Sequence, residues 1–156
     1  MTGLLLSEIK QTKPFALPEL EAFLNLVRSA DAVAREVAMV LKPCGLSAAQ
    51  YNVLRILRGA GEAGLPCGEI GARLVTHDPD ITRLIDKLER RGLVARARDA
   101  ADRRMVMVRL TAAGAALAGD NELSHALNDL HRAQFARLEP AHLTQLIDLL
   151  ERCRER

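Results

Sequence analysis

Residues 77–114, HDPDITRLIDKLERRGLVARARDAADRRMVMVRLTAAG, constrain the fold more than any other stretch, because their apolar period changes from helical to strand-like within one short run. Ile81, Leu84, Ile85 and Leu88 fall at i, i+3, i+4 and i+7 and share one face, while Thr82, Arg83, Asp86 and Arg90 occupy the opposite side. Asp78 is expected as the N-cap and Pro79 as the first helical residue, where a missing N–H costs nothing. Gly92 is expected to end the helix, after Arg90 and Arg91 have placed positive charge on its last turn. From Leu93 to Arg98 the period becomes two, with Leu93, Ala95 and Ala97 on one side and Val94, Arg96 and Arg98 on the other. Residues 105–110, MVMVRL, read as a second strand, and DAADRR between the two as the turn of a hairpin. An isolated hairpin is marginal in water, so this one must lean on neighbouring helices and leave its tip projecting.

Composition agrees with a mainly helical chain. Aromatic residues make up 3% and tryptophan is absent, so packing falls to Leu, Ala, Val and Ile, which favours helices over a β-sandwich. At 156 residues with 49% hydrophobic side chains, the length suits one domain with a sizeable core. The net charge of +2 says little about partners, but its distribution says more. Between Arg83 and Arg109 stand nine basic residues (Arg83, Lys87, Arg90, Arg91, Arg96, Arg98, Arg103, Arg104, Arg109) against four acidic ones (Asp86, Glu89, Asp99, Asp102). Such a cluster is the footprint of a nucleic-acid surface. Its plain alternative is a solvated face, since Arg83, Asp86 and Arg90 also have the spacing of intrahelical ion pairs.

The run TRLIDKLERRGLVAR followed by DRRMVMVRLTAAG resembles the MarR family of winged helix-turn-helix transcriptional regulators. The family's wing aspartate and arginine correspond to Asp102 and Arg104, with Arg103 between them, followed at the usual distance by Leu110, Thr111 and Gly114. LSAAQYNVLRIL at 46–57 resembles the helix that precedes the family's helix-turn-helix. The likeness of pattern runs over residues 17–156, with its specific motifs confined to the helix and wing. It implies a mainly α fold with a small two- or three-stranded β wing. The winged helix-turn-helix would span 46–110, and helices from 1–42 and 111–156 would form a dimerisation region. The implied partners are double-stranded DNA and a second copy of the chain. A two-fold dimer would meet a pseudo-palindromic operator whose half-sites lie roughly 34 to 36 Å apart.

On that reading the helix at 81–90 is the recognition helix. Thr82 and Arg83 are the candidates for base edges in the major groove, and Lys87 and Arg90 for phosphates. Arg103 and Arg104 at the hairpin tip suit the narrow minor groove, and Asp102 is expected to hold one of them by a charge-assisted hydrogen bond. Arg96 and Arg98 on the first strand complete the expected DNA-binding set. Many family members begin this helix with small neutral polar residues, whereas this chain has His77, Asp78 and Asp80. A carboxylate there either partners the helix dipole or accepts from cytosine N4, which leaves the base preference open. The preceding helix, CGEIGARL at 67–74, carries Gly68 and Gly71, each unfavourable in a helix by up to about 1 kcal/mol relative to alanine.

Outside this segment, residues 18–42 read as one long helix with Leu20, Phe23, Leu24, Val27 and Val37 among its apolar positions, ending before Pro43. Pro18, Glu19 and Glu21 fit its start. Thr111 is expected to cap a helix running to about Arg137, and Pro140 to open a last one with Leu143, Leu146, Ile147 and Leu150 on one face. These helices are more apolar than a small winged domain needs, which suits dimerisation; a monomeric bundle is the alternative.

The input signal is less legible. Cys44, Cys67 and Cys153 are an odd, widely spaced set without a zinc-ribbon pattern, as expected for a reduced cytoplasmic protein. Peroxide-sensing family members carry a reactive cysteine near the start of the first helix, and this chain has none there. Cys67 at a helix start leaves thiol-based redox sensing as an alternative, against the plain role of a small packed residue. His77, His125, His131 and His142 are scattered; His125 and Asp129 share a helix face, but two ligands do not make a metal site. No cofactor is expected. A small anionic or aromatic effector, bound between the dimerisation helices and each winged domain, is what the resemblance implies for many members; Tyr51 is placed near that cleft or in helix packing. Leu4 to Leu6 is too short for a targeting core, and no membrane association is expected. There is no GxSxG, phosphate-binding glycine loop, HExxH or paired Cys/His arrangement, so an enzyme is not expected. A helical adaptor without DNA contact is the remaining alternative, and a basic hairpin tip separates the two.

Overall fold

The computed structural model describes residues 3–76, 80–99, 102 and 104–155. In chain order it contains α1 (Leu4–Glu8), α2 (Pro18–Leu41), α3 (Ala48–Ala60), β1 (Leu65–Pro66), α4 (Cys67–Arg73), α5 (Ile81–Arg90), β2 (Val94–Arg98), β3 (Val106–Leu110), α6 (Ala112–Ala118), α7 (Asn121–Gln134) and α8 (Pro140–Arg152). The mainly α class with a small β wing is therefore as expected. Short 3-10 turns at Lys42–Cys44 and Gly61–Ala63 follow α2 and α3. Two compact units are distinguished, Met1–Glu36 and Val37–Arg156, with the boundary inside α2. In the first, Arg28 Nε donates to Glu8 Oε2 at 2.6 Å, tying α1 to α2. Among the described residues, no helix is long and apolar enough to cross a membrane.

The second unit is built around one apolar core. Val53, Leu54 and Leu57 of α3, Ile70 of α4, Leu84, Ile85 and Leu88 of α5, and Val94 and Val108 of the sheet are all buried within it. Leu54, Ile70, Ile85 and Leu88 have 0% exposure, so the three helices of the helix-turn-helix are held by side chains wholly removed from water. Ser47 starts α3 with a capping box: its Oγ accepts from the Gln50 N–H at 3.1 Å, while Gln50 Oε1 accepts from the Ser47 N–H at 2.9 Å. Tyr51 is half-buried and packs against this core.

The sheet is three-stranded, in the order β1-β3-β2, with both pairings antiparallel. β2 and β3 form the expected hairpin, with Val94 opposite Leu110 and Arg96 opposite Val108. The third strand is β1, whose Leu65 and Pro66 pair with Val108 and Met107. Two residues are too few to show a period, so this strand has no sequence signature beyond Gly64 beside it. Gly64 has φ +69°, and a Cβ there would lie 2.2 Å from the Val108 carbonyl oxygen; only glycine lets the backbones meet.

Two local expectations need correction. The cap of α5 is Asp80 rather than Asp78: its Oδ1 accepts from the Arg83 N–H at 3.1 Å, and the helix begins at Ile81. His77, Asp78 and Pro79 lie outside the described residues. The helix expected from Thr111 to about Arg137 is two helices. Thr111 does cap the first, α6, accepting from the Gly114 N–H at 3.1 Å, but α6 ends at Ala118. Asp120 then caps α7, accepting from the Leu123 N–H at 3.1 Å. The break is stable because Arg58 Nη1 donates to the Ala118 carbonyl at 2.8 Å, satisfying an acceptor left open at the end of α6. Gly-Asp at 119–120 is a C-terminal glycine followed by an N-cap, which an apolar repeat carried across it conceals.

Candidate nucleic-acid interface

The faces of α5 divide as the apolar repeat predicts. Leu84, Ile85 and Leu88 are buried and Ile81 half-buried, whereas Thr82, Arg83, Lys87 and Arg90 lie on the side turned away from that core. This outer face therefore offers a hydroxyl and three cations that packing does not need. Asp80 carries both a cap and a steering charge, since its Oδ2 lies 3.9 Å from Arg83 Nε in addition to the backbone bond. At the other end Arg91 closes the helix and Gly92 follows with φ +67°. Arg91 then reaches back across the fold: Nη1 donates to the Gly45 carbonyl at 2.6 Å and Nη2 to the Cys44 carbonyl at 2.9 Å. This clamp on the 3-10 turn after α2 has no local sequence signal, because its partners stand 46 and 47 residues away.

The wing tip is shaped by two aspartates. Asp99 Oδ1 accepts from the Asp102 N–H at 2.9 Å, and Asp102 Oδ1 accepts from the Arg104 N–H at 2.9 Å. The Asp102 carbonyl accepts from the Met105 N–H, also at 2.9 Å, which returns the chain to β3. Asp102 is expected from the sequence to hold an arginine side chain; the carboxylate bond described here is to the backbone of Arg104, whose side chain is left exposed. Arg98, the last residue of β2, is likewise exposed. Arg103 lies outside the described residues.

Arg96 behaves differently from the other expected contacts. Its side chain is 23% exposed and turns onto α5, where Nη2 donates to Asp86 Oδ1 at 2.6 Å and Nη1 donates to Glu89 Oε2. Its backbone N–H donates to the other oxygen, Glu89 Oε1, at 3.1 Å, and Nη2 also lies 3.4 Å from the Thr82 carbonyl. Burial acts to lower its pKa, but the hydrogen bonds to Asp86 and Glu89 and their charges outweigh this and hold it above the ordinary arginine value. Arg109 is also engaged internally, with Nε donating to the Ala63 carbonyl at 3.1 Å.

Elsewhere, Cys44 and Cys67 are half-buried and Cys153 is exposed, all as free thiols. Among the described residues no group of three or more His, Cys, Asp or Glu side chains is placed to hold a metal ion. Asp129, considered with His125, instead pairs with Arg132 at 2.8 Å. An open groove of about 370 Å³ is lined by Ala38, Met39, Lys42, Gly45, Leu46 and Ser47.

Comparison with known proteins agrees with this architecture. Residues 45–105 match the MarR family. An uncharacterized HTH-type transcriptional regulator of Bacillus subtilis, YkoM, is 32% identical over 142 residues, covering 86% of this chain and 87% of that protein. A MarR transcription factor from Planctomyces limnophilus is 38% identical, with a TM-score of 0.65 over 89% of this chain and 98% of its own. Bordetella bronchiseptica BpsR, whose DNA binding is regulated by 6-hydroxynicotinic acid, superposes with a TM-score of 0.77 at 26% identity, over 92% and 99% of the two chains. With its helix-turn-helix, its wing and these likenesses over most of its length, the chain belongs to the MarR family and is a transcriptional regulator rather than an enzyme.

Proposed function

We propose that this regulator is a homodimeric, ligand-responsive repressor that reads a pseudo-palindromic operator in double-stranded DNA. α5 enters the major groove, and the β2–β3 wing reaches the adjacent minor groove. The observation that carries this reading is the division of α5 into a buried apolar face and an outer face bearing Thr82, Arg83, Lys87 and Arg90. Thr82 and Arg83 read base edges, Lys87 and Arg90 neutralise phosphates, and Arg104, with Arg98 and Arg103, serves the wing. Asp102 acts through the backbone turn that presents Arg104.

The second copy is argued from apolar faces without cover in the single chain. Leu20, Phe23 and Val27, at i, i+3 and i+7 of α2, are 45%, 58% and 51% exposed, and Ile147, on the face of α8 that also carries the half-buried Leu143, Leu146 and Leu150, is 51% exposed. Single exposed hydrophobics are ordinary, but repetition along a helix marks an association surface. The winged domain thus spans 46–110 and the terminal helices, 1–42 and 111–156, supply the dimer contact. Ala118, Leu123 and Leu127 of α6 and α7 complete the core as well. Repression follows from occupancy: a dimer holding two half-sites excludes other proteins from the same duplex. The effector class is a small aromatic acid, by likeness to the ligand regulating BpsR, and Lys42 beside Met39 in the open groove offers a cation next to an apolar wall.

Selection of bound duplexes from a random library tests the reading. The expected product is an inverted repeat with half-site centres about 10 base pairs apart. Absence of any enriched sequence would overturn it, and an enriched single half-site would overturn the dimer.

A further inference from the structure

Arg96 is an expected DNA contact whose guanidinium the structure turns inward, and what it grips is the recognition helix itself. Asp86 and Glu89 stand three residues apart on α5 and so project from neighbouring turns of one face. Arg96 bridges both, one guanidinium nitrogen to each carboxylate, while Glu89 also holds the Arg96 backbone N–H. The strand end of this bridge is fixed in turn, because Arg96 lies opposite Val108 in the hairpin, and Val108 is fully buried. The bridge therefore joins the helix to the root of the wing. A planar fork with two anchored acceptors sets orientation as well as distance, which a point charge cannot do.

We propose that Arg96 is a positioning residue for operator binding: its fork to Asp86 and Glu89 fixes the wing against the recognition helix, so that the two grooves are engaged as one rigid unit. This rests on α5 and the wing being the DNA-binding surface. It gives Arg96 an internal contact in place of the expected one to DNA. It also gives a role to two carboxylates on a helix that docks against an anionic duplex, since the guanidinium engages both and offsets one of their two charges.

The test is a double-mutant cycle between Arg96→Met and Arg104→Ala, read as affinity for the duplex enriched by the native chain, with thermal unfolding of each variant measured in parallel. In the native background Arg104→Ala is expected to weaken binding at least tenfold. In the Arg96→Met background it should cost less than threefold, because a wing no longer held in place already contributes little to binding. A residue that merely supported the fold would lower thermal stability and leave the Arg104 effect at full size, which overturns the proposal. Arg96→Lys, with charge but no fork, should fall between native and Arg96→Met in this coupling. If it restored the full Arg104 effect, a simple charge role would replace the fork. Should Arg96→Met fail to fold, Glu89→Met removes the acceptors of one arm of the bridge at similar size, and the same reduction of the Arg104 effect is required of it. Absence of any Arg104 effect in the native background is a separate outcome: it removes the wing from the DNA surface and the proposal with it.

Discussion

Gly114 of α6 lies directly against the backbone of Leu93, such that a Cβ on it would sit 1.9 Å from the Leu93 carbonyl oxygen. That oxygen accepts from the Thr111 N–H at 3.1 Å, and Thr111 Oγ1 donates to the Gly92 carbonyl at 2.6 Å. The start of α6 is thus laid onto the turn between α5 and β2, and the obstacle to a side chain at 114 is backbone rather than a movable side chain. Gly114→Ala should destabilise the protein by about 1 to 3 kcal/mol, the usual cost of forcing atoms into a filled core. Urea unfolding would register this as a lower midpoint at unchanged slope. An unchanged midpoint would mean that α6 shifts away without cost.

Gly68 is the opposite case. It lies in α4 at a negative φ, and a Cβ there would meet nothing within 4 Å. Nothing in the structure explains a glycine at this position. Gly68→Ala is therefore expected to stabilise the fold by up to about 1 kcal/mol, through helix propensity and a less flexible unfolded chain. A lower thermal midpoint in the variant would reveal a contact made by the bare backbone.

These glycines mark how far the sequence is readable. The faces of α5 are legible because periodicity reports directly which residues share a side, and Leu84, Ile85 and Leu88 needed only to be apolar to be buried. The role of Arg96 is half legible. Alternation groups it with Val94, and the burial of Val94 means that their common side faces inward, toward α5; read without that step, the same alternation leaves Arg96 looking like a free cation. The α6–α7 break is written in Gly119 and Asp120, but a continuing apolar repeat outweighs two cap residues. Arg91 is not legible at all, since its carbonyl partners, Gly45 and Cys44, are backbone groups remote in sequence that any residue would supply.

The division of labour on α5 predicts that two neighbouring cations fail differently. If Arg83, beside Asp80, contacts a base edge as proposed, Arg83→Ala should relax selection at one base pair per half-site, with a loss of roughly 1 to 3 kcal/mol in discrimination. Lys87→Ala should weaken all duplexes alike and reduce the slope of log affinity against log salt by about 1 for each phosphate that is no longer neutralised. Binding titrations on matched and mismatched duplexes at several salt concentrations separate these outcomes. Identical behaviour of the two variants would remove the distinction between base and phosphate contacts on this face.

Ile147 of α8 yields the sharpest test of assembly. Ile147 is 51% exposed in the single chain, so replacing it should cost the fold of that chain little while altering whatever covers it. About half of this side chain remains to be buried, which is worth about 0.8 to 1.5 kcal/mol, and a two-fold interface counts it twice. Ile147→Lys should therefore raise the dimer dissociation constant by at least roughly 10- to 100-fold, at about 1.4 kcal/mol per factor of ten. Sedimentation at micromolar concentration should show a dimer for the native chain and a monomer for the variant, with helical circular dichroism retained in both. The monomer should also lose the tighter binding that two linked half-sites provide, while keeping its preference for the same half-site sequence. A native chain that sediments as a monomer would sink the two-half-site arrangement, and a variant that remains dimeric would move the interface off α8.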